Sequence, residues 1–226
     1  MARNRGLTGQ SIALVAVFAG LIAASTLVPE VTLIGGVPLT LQTFAIVLTG
    51  LLLGPWRALA AVSLYLVLGL VGAPIFANGA AGLVVLTGPT GGYLIGFVLA
   101  ATVIGALAQL LARRGVLARR GTATASLIGI GLLSIPLVYA VGVPWLVWRT
   151  GMPMLPTGCT SITDIDCVSG LTVGVLPFIP GDILKVVVAG IVAAAIHRAY
   201  PGLLGSARRA SSRVTDPEDE AARATA

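Results

Sequence analysis

The sequence predicts an all-α integral membrane protein with six transmembrane helices and both termini in the cytoplasm, on three observations. Hydrophobic residues make up 57% of the 226-residue chain and charged residues only 10%, and the mean hydropathy is +1.01. That is more apolar surface than a soluble core of this size can hide. Apolar stretches recur at residues 9–28, 40–53, 56–72, 91–112, 122–148 and 174–199, separated by Gly, Pro or Arg clusters. With this topology Arg3, Arg5, Arg57, Arg113, Arg114, Arg119, Arg120, Arg198, Arg208, Arg209, Arg213 and Arg223 all fall inside. Of the 14 basic residues, that leaves Arg149 outside and Lys185 within a span.

The first stretch follows Arg3 and Arg5, and Ala23-Ala24-Ser25 faintly imitates a signal-peptide cleavage site. It is too long for a typical signal core, so it is expected to be retained as a helix. Its Ala16, Ala19, Gly20 and Ala23 form two small pairs at i,i+4 spacing, Ala16 with Gly20 and Ala19 with Ala23. Such faces let membrane helices approach closely, either a partner or one another within the bundle.

The second and third stretches are separated at Gly54-Pro55. Taken as one helix, residues 40–72 would run about 50 Å, well beyond a hydrocarbon core of about 30 Å, and a proline there breaks the ladder. A five-span count would also put the Arg113 to Arg120 cluster outside, against the positive-inside rule. The last stretch ends near Arg198. Residues 1–205 are therefore read as one six-helix transmembrane domain, and residues 206–226, charged and poor in large apolar side chains, as a disordered cytoplasmic tail.

Three loops face outward in this arrangement, residues 29–39, 73–90 and 149–173. The second is glycine-rich with few charges, in Pro74-Ile75-Phe76-Ala77-Asn78-Gly79-Ala80-Ala81-Gly82 and Gly88-Pro89-Thr90-Gly91-Gly92-Tyr93. Irregular backbone near membrane depth is tolerated where it lines a cavity or is buried in protein, so a lid or pocket wall is expected, with an ordinary tight connection as the alternative. The third loop holds Cys159 and Cys167, which an oxidising exterior would allow to bridge, against two unpaired thiols in a variable insertion. Asp164 and Asp166 between them lack the further oxygen ligands of a calcium site and read as a solvated loop.

Several function classes are disfavoured. The net charge of +6 does not indicate nucleic acid, because the basic residues flank apolar segments and form no stripe with interleaved aromatics. Gly88-Pro89-Thr90-Gly91-Gly92 lacks the Gly-Lys-Ser/Thr ending of a phosphate-binding loop, so ATP hydrolysis by this chain alone is not expected. The single histidine, His197, lies beside Arg198 at a helix C-terminus, a structural position rather than a metal site. No nucleophile, base and orienting group occur together, and neither an enzyme nor a cofactor is expected.

The site is expected at Pro177-Phe178-Ile179-Pro180-Gly181-Asp182-Ile183-Leu184-Lys185, at the mouth of the last span. Ionisable groups near hydrocarbon normally face a cavity, a partner or a ligand. Asp182 and Lys185, three apart, share one helical face and can grip a single polar group together. The alternative is an internal ion pair between helices, which rarely gives net stability over apolar packing.

That segment, with Gly36-Val37-Pro38-Leu39-Thr40-Leu41-Gln42-Thr43, Gly54-Pro55 followed by Tyr65-Leu66, Leu70-Val71-Gly72-Ala73-Pro74-Ile75-Phe76-Ala77 and Gly88-Pro89-Thr90-Gly91-Gly92-Tyr93-Leu94, strongly resembles the BioY family, the biotin-specific substrate-binding (S) components of energy-coupling factor (ECF) transporters. The resemblance runs from about residue 10 to residue 200, with the motifs in the right order relative to their helices. It implies an S-component bundle in a prokaryotic plasma membrane, a biotin pocket open to the outside, and as partners a transmembrane coupling protein and two ATPase subunits. Biotin offers a ureido head with two N–H donors and one acceptor, an apolar ring pair and a carboxylate. Asp182 can accept a ureido N–H, Lys185 can donate to the ureido oxygen or pair with the carboxylate, and Asn78, which resembles the family's loop asparagine, can do both. Gln42 can do the same from the start of the second helix, and Phe76 and Tyr93 are expected as walls. If Lys185 serves the ureido group, the biotin carboxylate is left to Arg149, backbone amides or water. The face carrying Ala16, Ala19, Gly20 and Ala23 resembles the alanine face that docks on the coupling protein. The alternatives are an S component for another vitamin, a membrane enzyme using Asp182, and a stand-alone ion-driven transporter.

Overall fold

The structure is a computed structural model that describes residues 9–27, 31–32, 38–156 and 168–204. Its helices are α1 (Gly9–Ser25), α2 (Gln42–Leu53), α3 (Pro55–Val71), α4 (Leu83–Thr87), α5 (Gly91–Arg113), α6 (Arg120–Leu132), α7 (Ser134–Thr150), α8 (Gly170–Gly174) and α9 (Ile179–Ala199), with short 3-10 turns at Ala77–Gly79 and Val116–Ala118. The described residues are otherwise free of regular structure except for a two-residue antiparallel ladder pairing Val31 with Leu39 and Thr32 with Pro38. Cys159, Cys167, Asp164, Asp166 and the 206–226 tail lie outside the described residues.

The α2–α3 break falls at Gly54-Pro55. Gly54 takes φ 73°, a conformation open to glycine, its N–H closes α2 on the Gly50 carbonyl, and Pro55 opens α3 where a missing N–H costs nothing. The helix expected over residues 122–148 is interrupted into α6 and α7 at Leu133, which keeps right-handed helical φ/ψ, so Gly121–Thr150 still forms one apolar span. Pro136 is the cause: it cannot bond the carbonyl of Leu132, and its ring crowds that carbonyl. The last helix likewise starts later than residue 174. Ser169 caps α8 by accepting from the Thr172 N–H, the chain turns at Pro177, and α9 begins at Ile179 with Pro180 in its first turn.

By length and composition, Gly91–Arg113, Gly121–Thr150 and Gly170–Ala199 suffice to cross a membrane, and Gly9–Ser25, Gln42–Leu53 and Pro55–Val71 are shorter apolar helices. The 23-residue α5 is the central post, packed against α2, α3 and α7. Absent side chains allow this closeness. A Cβ on Gly105 would stand 2.8 Å from the Gly54 carbonyl carbon, one on Gly96 would stand 3.0 Å from the Val138 carbonyl, and one on Gly92 would collide with Trp145. Gly142 on α7 completes the seam, since a Cβ there would meet the Tyr93 ring at 2.5 Å.

Two apolar clusters result. One, around Ile22, Tyr65, Phe76, Phe97, Leu146 and Phe178, surrounds the half of the bundle where α2, α5 and α9 begin. The other, around Leu51, Ile104, Leu127, Val186 and Ala193, fills the opposite half. There the carbonyls left over at the C-terminus of α2 find side-chain donors: buried His197 sits 2.9 Å from the Leu51 carbonyl, and Arg57 Nε donates to Leu53 at 3.1 Å while its Nη2 reaches the Leu203 carbonyl. His197 is thus a tie between α9 and α2. Among the described residues no group of three potential metal-ligating side chains occurs.

On α1 the two small pairs separate. Ala19 is buried and Ala23 half-buried in the core shared with α3, whereas Ala16 and Gly20 are exposed. The exposed side of α1 therefore carries Ala16 and Gly20.

Candidate functional site

Helix starts converge on one cavity. Residues from the N-terminal turns of α2, α5 and α9, the middle of α7 and the 73–90 loop enclose about 360 Å³. Each of the residues expected at the site, Gln42, Phe76, Asn78, Tyr93, Asp182 and Lys185, lines it. They come from four separate parts of the chain, so the fold, not local sequence, brings them together.

The charged end is built on α9. Lys185 Nζ donates to Asp182 Oδ1 at 3.2 Å across one helical turn, and both side chains are 11% exposed. The other carboxylate oxygen is held from α7, where the Tyr139 hydroxyl donates to Oδ2 at 2.7 Å. A pair this buried adds little net stability over apolar packing but leaves a costly lone charge if either member is removed. Placed on a cavity wall, it presents polar groups of both signs to whatever enters.

Tyr93 and Tyr139 meet edge to face, with centroids 6.3 Å apart and planes at 87°. The Tyr93 hydroxyl donates to the Gly174 carbonyl at 2.9 Å, so its ring, rather than its polar end, is what the cavity receives. Phe76, Phe97, Phe178, Leu94 and Val138 complete the apolar wall. Phe76 is locked where Gly69 leaves no Cβ, and a substituent there would collide with its ring.

Opposite chemistry comes from uncharged amides and hydroxyls. Gln42, buried at the start of α2, donates from Nε2 to the Tyr65 hydroxyl at 3.0 Å. Asn78 takes φ 57° in the 3-10 turn, a left-handed conformation that asparagine tolerates better than most residues, and this turns the loop over the cavity. Trp145 pins that loop from α7 by donating from Nε1 to the Gly88 carbonyl at 2.9 Å.

Tyr139 and Phe97 line the cavity without being singled out by the sequence, whereas Thr90 and Phe178 fall within the loop and the helix-mouth segment expected there but carry no individual expectation. Tyr139 carries one available signal, a phenol within a long apolar stretch. Arg149 is not among the lining residues. Its guanidinium lies 5.6 Å from the centroid of the Trp148 ring, and Lys185 is the sole cation on the lining among the described residues.

Residues 1–202 match the model of the BioY family. A protein of Rhodobacter capsulatus named biotin transporter BioY is 39% identical over 199 residues, covering 86% of this chain and 97% of its own length. One of Thermotoga maritima with the same name is 36% identical over 160 residues, covering 71% of this chain and 80% of its own. Among solved structures, the crystal structure of the S-component for biotin from an ECF-type ABC transporter superposes with a TM-score of 0.71 at 24% identity, over 87% of this chain and 95% of that one. At that identity the likeness speaks for the fold.

Proposed function

The chain belongs to the BioY family, and from that premise we propose that it captures biotin in the cavity at the starts of α2, α5 and α9 and serves as the substrate-binding component of an ATP-driven ECF-type uptake system. It is a membrane component that binds and passes on its ligand without covalent chemistry or a cofactor. The observation that carries the reading is the Asp182–Lys185 pair set in the wall of a cavity of about 360 Å³ otherwise lined by aromatic and aliphatic side chains. That volume falls within the range of about 300–1,000 Å³ common to small-molecule sites.

Biotin suits this lining part by part. Asp182 accepts a ureido N–H, Lys185 donates to the ureido oxygen, and Asn78 and Gln42 supply further amide groups. The fused rings lie against Phe76 and Tyr93. With Lys185 engaged at the head, the carboxylate falls to the hydroxyls of Thr40, Thr43 and Thr90, near helix starts whose dipoles favour negative charge.

The wider proposal has residues 1–205 crossing a prokaryotic plasma membrane six times, with both termini and the 206–226 tail in the cytoplasm. A coupling protein then docks on the Ala16–Gly20 side of α1, and two ATPase subunits on separate chains drive uptake. Isothermal titration of biotin into purified wild-type and Asp182→Ala protein tests the core of it. Tight binding lost in the variant is the expected result. A folded wild type that does not bind biotin would sink the assignment, and binding of riboflavin or thiamin titrated directly would then redirect it to another vitamin.

A further inference from the structure

We propose that Tyr139 is a positioning residue that makes Asp182 selective for a neutral ureido head over a cationic one, an inference that rests on the biotin-binding reading above. Tyr139 enters the cavity wall from α7, and its hydroxyl occupies Asp182 Oδ2 at 2.7 Å while Lys185 occupies Oδ1 at 3.2 Å.

Each carboxylate oxygen therefore already accepts a donor before any ligand arrives. The lone pairs that remain suit the N–H donors of a neutral group. A cation gains most from a carboxylate oxygen that carries no other donor, and here the ammonium takes one oxygen and the phenol the other.

The position of Tyr139 is itself fixed. Its ring stands at 87° to that of Tyr93, whose hydroxyl is tied to the Gly174 carbonyl at 2.9 Å, and Gly142 one turn along α7 leaves room for Tyr93 to lie there. The phenol oxygen is thereby aimed at the carboxylate by contacts that do not involve the hydroxyl. Removing the oxygen alone frees Oδ2 and leaves the ring in place.

The probe is 2-iminobiotin, which keeps the rings and side chain of biotin but replaces the ureido with a guanidinium. Its affinity is compared with that of biotin in wild type, Tyr139→Phe and Tyr139→Phe/Asp182→Asn by titration in detergent. The stabilisation each ligand gives against heat in native membranes supplies the same comparison for any variant that does not survive purification.

Tyr139→Phe is expected to bind biotin about tenfold more weakly, because a buried carboxylate oxygen loses its donor. Its preference is expected to move about tenfold toward iminobiotin, because Oδ2, freed of the phenol, bonds a charged N–H more strongly than a neutral one. In the double variant, with no carboxylate, that shift disappears. A purely structural tyrosine would weaken both ligands equally. An unchanged ratio in Tyr139→Phe, or a ratio that moves toward biotin, overturns the inference while leaving biotin binding by the wild type intact. A wild type that binds no biotin overturns the parent reading first.

Discussion

Gln42 and Tyr65 are joined by a hydrogen bond of 3.0 Å that fixes which way the glutamine amide points. The Tyr65 hydroxyl spends its proton on the Ile75 carbonyl at 3.2 Å, so it accepts from Gln42, and the NH2 end of the amide must face it. Ile75 also accepts from Thr26 Oγ1 at 2.9 Å, just beyond the end of α1. The start of α2, the middle of α3, the end of α1 and the loop over the cavity are held through one carbonyl.

Tyr65→Phe removes that relay while keeping the edge-on contact with Phe76, whose centroid lies 5.5 Å away. Gln42 then loses its acceptor in a buried position, at a cost of about 1–3 kcal/mol. Biotin affinity is expected to fall several-fold together with stability, as read by titration and thermal melting. An unaltered affinity would show that the orientation of Gln42 does not matter to the ligand.

The Asp182–Lys185 pair allows stability and binding to be separated. Asp182→Ala strands a buried ammonium and is expected to destabilise the protein by about 3 kcal/mol, whereas Asp182→Ala with Lys185→Met removes both charges and recovers most of that loss. Biotin binding is expected to stay absent in both. Recovery of binding in the double variant would make the pair an internal fastener with no ligand role.

How far the sequence reveals this site depends on whether a residue's partner is near or far in the chain. Asp182 and Lys185 are legible because charges are rare in an apolar stretch and helical spacing aligns them. Tyr139 is not legible, because a tyrosine in a span can bond any nearby acceptor and the one it uses lies 43 residues away. The breaks divide in the same way. Gly54-Pro55 is a stop because the glycine takes positive φ beside the proline, but Pro136 breaks the α6–α7 rod while Pro144 sits inside α7 without ending it. Membrane helices absorb some prolines through neighbouring groups, and sequence alone does not say which. The side of α1 that turns outward is equally a tertiary matter, since α3 covers Ala19 and leaves Ala16 bare.

That division of α1 predicts two different failures. A Cβ on Gly20 meets nothing within 4 Å, so Gly20→Leu is expected to fold and bind biotin as the wild type does while losing ATP-driven uptake in cells that supply the coupling proteins. Ala19→Leu instead overfills a core position that is 4% exposed, and is expected to cost about 1–3 kcal/mol and to lower melting temperature and binding together. Uptake unaffected by Gly20→Leu would place the docking surface elsewhere.

His197 gives the sharpest test of structure without function. It lies in the half of the bundle away from the cavity, is 7% exposed, and is 2.9 Å from the carbonyl of Leu51, one of the α2 C-terminal acceptors with no partner inside its own helix. With a carbonyl as partner the Nε2 atom must carry a proton, so the ring acts as a donor and not as a metal ligand through that atom. His197→Leu leaves the Leu51 carbonyl buried and unsatisfied and is expected to destabilise the protein by about 1–3 kcal/mol. His197→Gln, which can still donate, is expected to restore part of that loss. Both variants, titrated well below their melting temperatures, should bind biotin with wild-type affinity. A loss of affinity in the stable glutamine variant would mean that the contact between α9 and α2 also sets the geometry of Asp182 and Gln42 at the other end of those helices.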